Sequence, residues 1–278
     1  PKCQPQLVLR NDGSMTPWGE LGTNLPPGIT NVVAIANYGG NALVLQNDGT
    51  VFAWGDNTYG QTNVPEGLSN VVQVAQGYSF ELVLRSDSTV VAWGSDVDGV
   101  ISGASGLTNV VAIAAGPDHV LALFNDGTIT AWGNDDFGQT NVPTGLSNVV
   151  AVAGRPFHSL ALKNDGTVVG WGLNALGQIS IPVGLRRVFA IAGGNESSYA
   201  LVADLKIDSI RMNGVSPELS FRTFTGEGYA VEASSDLTPG SWVDLPGGNL
   251  IGDGTEAVFT DTSPLTAGNR FYRIRLVP

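Results

Sequence analysis

Cysteine is almost missing from this chain. Cys3 stands alone, so no disulfide can form within the molecule, and its thiol is either a leftover near a frayed end or half of an intermolecular bridge. Basic residues are also scarce: 13 Lys and Arg stand against 25 Asp and Glu, a net charge of −12. That balance argues against nucleic acid, whose phosphates are neutralised by Lys and Arg, and against an anionic membrane surface. It favours solubility and cationic partners. No apolar run approaches the ~18 residues that a spanning helix needs, so no membrane insertion is expected. No signal peptide is recognisable either, and an exported protein would appear here in its mature form. No stretch holds apolar residues at i, i+3, i+4 and i+7 for three turns, which excludes a helical fold.

Catalytic and metal-binding patterns are missing as well. His119 and His158 are the only histidines, and with a single cysteine no Cys/His zinc spacing exists. They lie 39 residues apart at equivalent places, where Asn41, Phe80 and Ser197 also stand. A repeated histidine reads as a structural group satisfied inside each unit. No Gly-x-Ser-x-Gly elbow is present. A glycosidase would need two facing carboxylates, which only loops could supply here. Asp96-Val97-Asp98-Gly99 lacks the remaining ligands of a calcium loop and reads as a turn. The chain is therefore expected to be no enzyme and to carry no cofactor and no metal.

What the chain has in plenty is repetition. Trp54, Trp93, Trp132 and Trp171 each precede a glycine at intervals of 39, and Trp18-Gly19 lies 36 residues before Trp54. Self-similarity at this period marks stacked or radially arranged units. With 37 glycines and 15 prolines, these units should be short strands joined by tight turns. Four complete units run over roughly 30–68, 69–107, 108–146 and 147–185. Each reads as four strands. The first is a β-branched run, as in Val110–Ile113, without strict alternation, and is expected to be buried on both faces. The second alternates its leucines, as in Leu121 and Leu123. Asn-Asp-Gly at 47–49, 125–127 and 164–166 supplies the positive φ of a tight hairpin. At Ser86-Asp87-Ser88 that glycine is lost and a looser turn is expected. The third strand ends in Trp-Gly, and a fourth, such as Gly138–Pro143, is closed by proline as an outer edge.

The phrase VVAIAAG-xxH-xLAL-xNDG-xxxAWG-xxxxGQ, recurring at this spacing over about residues 6–204, resembles the repeat of the regulator of chromosome condensation family of β-propellers. Its short period resembles bacterial members, including the propellers that inhibit beta-lactamases. The resemblance implies blades of four antiparallel strands around an axis. It does not imply a chromatin or small-GTPase role, because function does not follow fold. The expected fold is all-β: a propeller of about five blades of ~39 residues over 1–204, then a small Ig- or fibronectin-like β-sandwich over 205–278. Residues 186–204 supply the front half of a unit and the N-terminal stretch the back half, so the fifth blade is a composite that closes the ring. The second strand then occurs twice, at 6–10 and 198–203, and one copy is surplus. It is either a linker or extra edge, or a strand for exchange with a neighbouring molecule through Leu7, Val8 and Leu9 or Tyr199 and Leu201.

From Leu205 the repeat ends. Strands are expected at 207–212, 219–224, 229–233, 242–245, 257–260 and 270–276. Tyr229–Leu237, Ser241-Trp242 and Arg270–Ile274 look like the C-terminal sandwich modules of exported bacterial surface proteins. That likeness, with the few lysines and many Gly, Thr and Asn, leads to an extracellular or cell-surface location. Function is expected where the units differ. After each Trp-Gly the loops read Asp56–Tyr59, Ser95–Asp98, Asn134–Phe137 and Leu173–Leu176, on one face by symmetry. Asp56, Tyr59, Asp96, Asp135, Asp136, Phe137 and Leu176 would form an acidic surface with apolar anchors, suited to a protein partner, unless the aromatics pack between blades. The leading expectation is an exported, non-enzymatic protein-binding scaffold. A subunit that polymerises by strand exchange and an enzyme inhibitor are the alternatives.

Overall fold

The computed structural model describes residues 6–18, 25–38, 40–194, 196–202, 207–213, 216–235, 238, 240–263 and 270–277. Cys3, Gly19 and the expected boundary at 204/205 lie outside them. The chain divides into two compact units. One draws on residues up to Lys163, on Val168–Val183 and on Ala190–Ala200; the other draws on Asn164–Thr167, Gly184–Phe189 and residues from Leu201 on.

The first unit is a succession of antiparallel three-stranded sheets. Their strands are Val32–Tyr38, Asn41–Gln46 and Val51–Gly55; Val71–Gln76, Phe80–Arg85 and Val90–Gly94; Val110–Ala115, His119–Phe124 and Ile129–Gly133; Val149–Arg155, His158–Lys163 and Val168–Gly172. These are the repeated blades of a β-propeller. The hairpin Gln6–Leu9/Met15–Trp18 precedes them, and the pair Val188–Gly193/Ser198–Val202 follows.

The expected fourth strand of each blade is a chain of turns. In the first full blade Gly60 N–H donates to Asn57, Asn63 to Gly60, Val64 to Thr62 and Leu68 to Pro65. Those local bonds consume the donors that a ladder would need, and Pro65 has none to give. Burial also differs from expectation. The middle strand is the one enclosed on both faces, buried at all six positions of Asn41–Gln46. The first strand carries a bulge after its first residue, at Val32/Ala34, Val71/Gln73 and Val149/Ala151. The extra residue (Val33, Val72 or Val150) turns outward and is exposed.

Each hairpin between second and third strands is closed by aspartate and threonine. Thr50, Thr89, Thr128 and Thr167 hydroxyls donate to Asp48, Asp87, Asp126 and Asp165 at 2.5–2.7 Å. The turn at Ser86-Asp87-Ser88 is not loosened by its missing glycine. Ser88 N–H reaches Arg85 O at 2.9 Å, against 3.1 Å for Gly49 to Gln46, and Ser88 itself takes φ +64°. The Asp-Thr bond and the ladder override the cost of left-handed backbone at a serine, about 1–2 kcal/mol. The turn also ties one blade to the next: Val32, Val71, Val110 and Val149 donate to Gly13, Gly49, Ser88 and Gly127 at 3.2–3.3 Å.

No strand pairing among the described residues joins the two halves of the expected composite fifth blade. Among the described residues the N-terminal hairpin and the 188–202 hairpin form separate two-stranded sheets. Each half holds its own copy of the second strand, which pairs with its sequence neighbour.

The second unit holds two sheets. Ser209–Asn213, Ser216–Arg222 and Glu256–Thr260 form one; Gly228–Ser234 pairs with Val243–Asp244, Leu250–Ile251 and Phe271–Val277 in the other. Leu219, Phe221 and Phe259 from the first share one core with Tyr229, Val231 and Ala233 from the second, as a sandwich requires. Glu232 accepts from Arg273 at 2.6 Å and Arg275 at 3.2 Å, and the Arg273 guanidinium lies 4.4 Å from the Trp242 ring centre.

Candidate functional site

The loop after each Trp-Gly is held from beneath by a buried glutamine. Gln61, Gln139 and Gln178 stand at equivalent places, two repeats and then one repeat of 39 residues apart, and their Oε1 atoms accept from the backbone N–H of Tyr59, Phe137 and Leu176 at 2.8–2.9 Å. The same residues receive the next blade. Trp93 Nε1–H donates to Gln61 O, and Trp171 Nε1–H to Gln139 O, both at 2.9 Å. Trp132 bonds Val100 O at 3.0 Å, because the second full blade carries two 3₁₀ turns, Val97–Gly99 and Ser102–Ala104, where the others carry glutamine.

A second polar row crosses between blades. Ser159 Oγ–H donates to Gln139 O at 2.8 Å, so it receives the proton of His119 Nε2 at 3.0 Å. Ser198 Oγ–H donates to Gln178 O at 2.6 Å and receives from His158 Nε2 at 3.1 Å. Burial depresses both imidazoles, His119 to about 4 with His158 adding to it, so both are neutral donors. At the first interface Asn41 Nδ2 donates to Glu81 Oε1, and at the second Phe80 and Val120 share one apolar core. Burial pushes Glu81 up to about 9, against the opposing bond from Asn41. Protonated Glu81 can donate from Oε2, otherwise without a partner, to the equally unpartnered Asn41 Oδ1. Each histidine thus bonds across to the next blade and not inside its own unit, and the buried Nδ1 of each has no partner.

These anchors leave apolar side chains outside. Tyr59, Phe137 and Leu176, at one position of three loops, are 50%, 45% and 65% exposed, and Phe137 also packs against the next blade through Phe157. Turns joining first to second strands lie on the same edge: Asp56 N–H donates to Gly40 O at 3.1 Å and Leu173 N–H to Phe157 O at 2.7 Å. Phe157 meets Phe137 edge-on, with centroids 4.9 Å apart. Three comparably placed repeats now stand with their geometry defined. They match a known repeat. Residues 32–61, 110–139 and 149–178 match the regulator of chromosome condensation (RCC1) repeat. A search of curated proteins finds no match. The ectodomain of the Physcomitrella patens receptor kinase CR4 superposes on 77% of this chain with 18% identity and a TM-score of 0.61. Prp20p of Saccharomyces cerevisiae, described with its binding to Gsp1p and histones, covers 75% at 22% identity and 0.49. The chain spans 65% and 58% of the lengths of those two proteins.

Within the blades the acidic residues have structural duties as well as exposure. Asp96 accepts from Ile101 and Ser102 N–H at 2.7 and 2.9 Å, which holds its carboxyl below the usual range. Asp135 accepts from Thr140 N–H at 2.9 Å, Asp136 from Asn134 Nδ2 at 3.0 Å, and Asp56 from Thr58. Asp96, Asp135 and Asp136 are exposed, and Asp56 is half-buried. Asp118, on a first-to-second-strand turn, is raised by burial and by Asp98. Sequence reasoning missed Phe157 and the exposed Tyr78, which stand on those turns. Their one signal was variation: the places of Tyr78 and Phe157 hold Pro117 and Asp118 one repeat later or earlier.

The strand-exchange candidates separate. Leu7 is buried and Val8 exposed, whereas Tyr199 and Leu201 are 61% and 59% exposed on a strand whose counterparts in other blades are buried over their first five residues. Among the described residues no group of three His, Cys, Asp or Glu could hold a metal ion, and no helix is long and apolar enough to cross a membrane.

Proposed function

We propose that this chain is a non-enzymatic, exported scaffold that binds a protein partner at the bacterial cell surface. One observation carries the reading: Tyr59, Phe137 and Leu176 are held half-exposed on loops whose backbones are fixed by buried glutamines. Loops ordered before binding lose little entropy on association, and aromatic anchors dominate interface energies. Asp96, Asp98, Asp135 and Asp136 on the same edge favour a partner with a basic rim. The few lysines support export. In the test, a Tyr59→Ala/Phe137→Ala double variant is compared with the unaltered chain in cross-linking to bacterial surface proteins. Both side chains are exposed, so thermal stability should change by under about 1 kcal/mol. Capture of the same protein should weaken about tenfold or more. Equal capture by the two forms would overturn the assignment of this face.

A second reading is favoured by the open second strand of the last hairpin. Self-assembly would cover Tyr199 and Leu201 with a strand of another copy. Light scattering should then show species above the monomer mass that disappear in Tyr199→Lys/Leu201→Lys. A monomer at every concentration would end this reading.

A further inference from the structure

The first strands of the four full blades converge on a cavity of 280 Å³, lined among others by Tyr38, Gln76, Ala115, Gly116, Pro117 and Arg155. Four of its surrounding positions are equivalent at intervals of 39: Tyr38, Gly77, Gly116 and Arg155. The two glycines are required by packing. A Cβ at Gly77 would lie 2.0 Å from the Phe80 ring, and one at Gly116 would lie 2.4 Å from the His119 ring and 2.9 Å from Arg155 O. Of these four positions only Tyr38 and Arg155 bring a side chain, a phenol and a guanidinium, and Gln76 adds an amide from the second full blade.

Three groups in this cavity are left to be satisfied. Arg155 forms no ion pair among the described residues; its stem lies where a side chain at residue 193 would go, and Gly193 makes that room. Burial, with Asp118 adding and Arg155 opposing, raises the Tyr38 hydroxyl, which stays protonated and able to donate. Gln76 is 8% exposed; its amide nitrogen donates to Tyr38 O and Asn41 O at 3.0 and 3.3 Å, while its Oε1 accepts nothing. A buried acceptor without a donor is costly and calls for one.

We propose that this cavity binds a small carboxylate that also carries hydroxyl groups, the chemistry of a sugar acid. The carboxylate is recognised by the planar fork of Arg155 and the Tyr38 hydroxyl. A ligand hydroxyl supplies the proton that Gln76 Oε1 lacks. An ammonium group would place a second positive charge beside Arg155. A free phosphate would leave most of the volume empty and put about two negative charges on one cation, while the volume is near the lower end for ligand pockets, the scale of a single sugar ring. The site is independent of the protein-binding face, because it uses none of Tyr59, Phe137 or Leu176.

Calorimetric titration of the full chain with D-glucuronate tests it, with D-glucose and inorganic phosphate as controls. One saturable site for glucuronate is expected, and no heat from glucose. Arg155→Met, which keeps a stem beside Gly193, should weaken binding about tenfold or more, and Arg155→Lys should restore part of it. Should Arg155→Met not fold, the Arg155 Nε resonance of the unaltered chain should move on adding glucuronate. Absence of glucuronate binding at about 10 mM, undiminished binding by Arg155→Met, or an unmoved resonance would overturn the site. Phosphate binding as tightly as glucuronate would overturn the hydroxyl contact.

Discussion

Glu81→Gln should remove the alkaline fall in stability that the unaltered protein shows. Folded Glu81 keeps its proton to about pH 9 because it is buried, whereas the unfolded side chain releases it near 4.5. Between those values the unfolded state binds fewer protons, so stability falls as pH rises, by about 1.4 kcal/mol per unit. His119 acts in the opposite sense. Its folded value near 4 lies below the ordinary 6.5, so its contribution is lost as pH falls through that window, and His158 is lowered in the same direction. The two slopes oppose each other between 4.5 and 6.5. Above 6.5 the Glu81 slope runs without the opposing histidine slopes, so stability should peak near pH 6.5 and decline toward 9. Urea unfolding at half-unit pH steps would show this. A glutamine side chain keeps the amide partnership with Asn41 and has no proton to lose, so its profile should stay level above 6.5. A declining profile in Glu81→Gln, parallel to the original, would refute a buried, protonated carboxyl.

Gly116→Ala should cost about 3 kcal/mol, near the upper range for overpacking. The added methyl would lie 2.4 and 2.5 Å from His119 Cε1 and Nδ1, and 2.9 Å from Arg155 O. The ring cannot swing away without breaking its bond to Ser159. The second change His119→Ser should recover part of the loss, because it removes the atoms in collision. Gly145→Ala is the comparison: nothing lies within 4 Å of its Cβ, so only its φ of +79° is penalised, by about 1–2 kcal/mol. Denaturant midpoints of the three variants separate collision from backbone strain. An unchanged midpoint for Gly116→Ala would mean that neighbouring first strands are not held this close.

Periodicity made the blades legible, since Trp-Gly and Asn-Asp-Gly recur at a fixed interval and each has a local physical cause. What required coordinates is what passes between blades. Partners such as His119 and Ser159 are 40 residues apart, one more than the repeat, so aligning equivalent positions never places them side by side. The fourth segment looked like an edge strand because it is short and closed by Pro143, but its donors are spent on turns. The valine pair opening each first strand looked doubly buried, and a bulge sends the second valine outward. Tyr59, Phe137 and Leu176 were legible as variable positions, and their exposure followed only once Gln61, Gln139 and Gln178 were seen to hold the loops. The axial cavity had no signature in the chain, because Tyr38, Gln76 and Arg155 share no motif.

The row of pairs between blades also decides which blades could ever be copied. A second blade placed after itself would set Phe80 against a buried Glu81, and a duplicated third would set His119 against Val120, leaving the Nε2 proton without an acceptor. A duplicated first would face Asn41 with Ala42. Only the fourth carries both halves of a working pair, His158 at its leading position and Ser159 at its receiving one. Its tryptophan reaches back to a glutamine carbonyl of the kind that it offers forward through Gln178. Lengthening of such an array by tandem gene duplication would therefore be tolerated at one blade and penalised at the other three, so the order of the blades is itself inherited information.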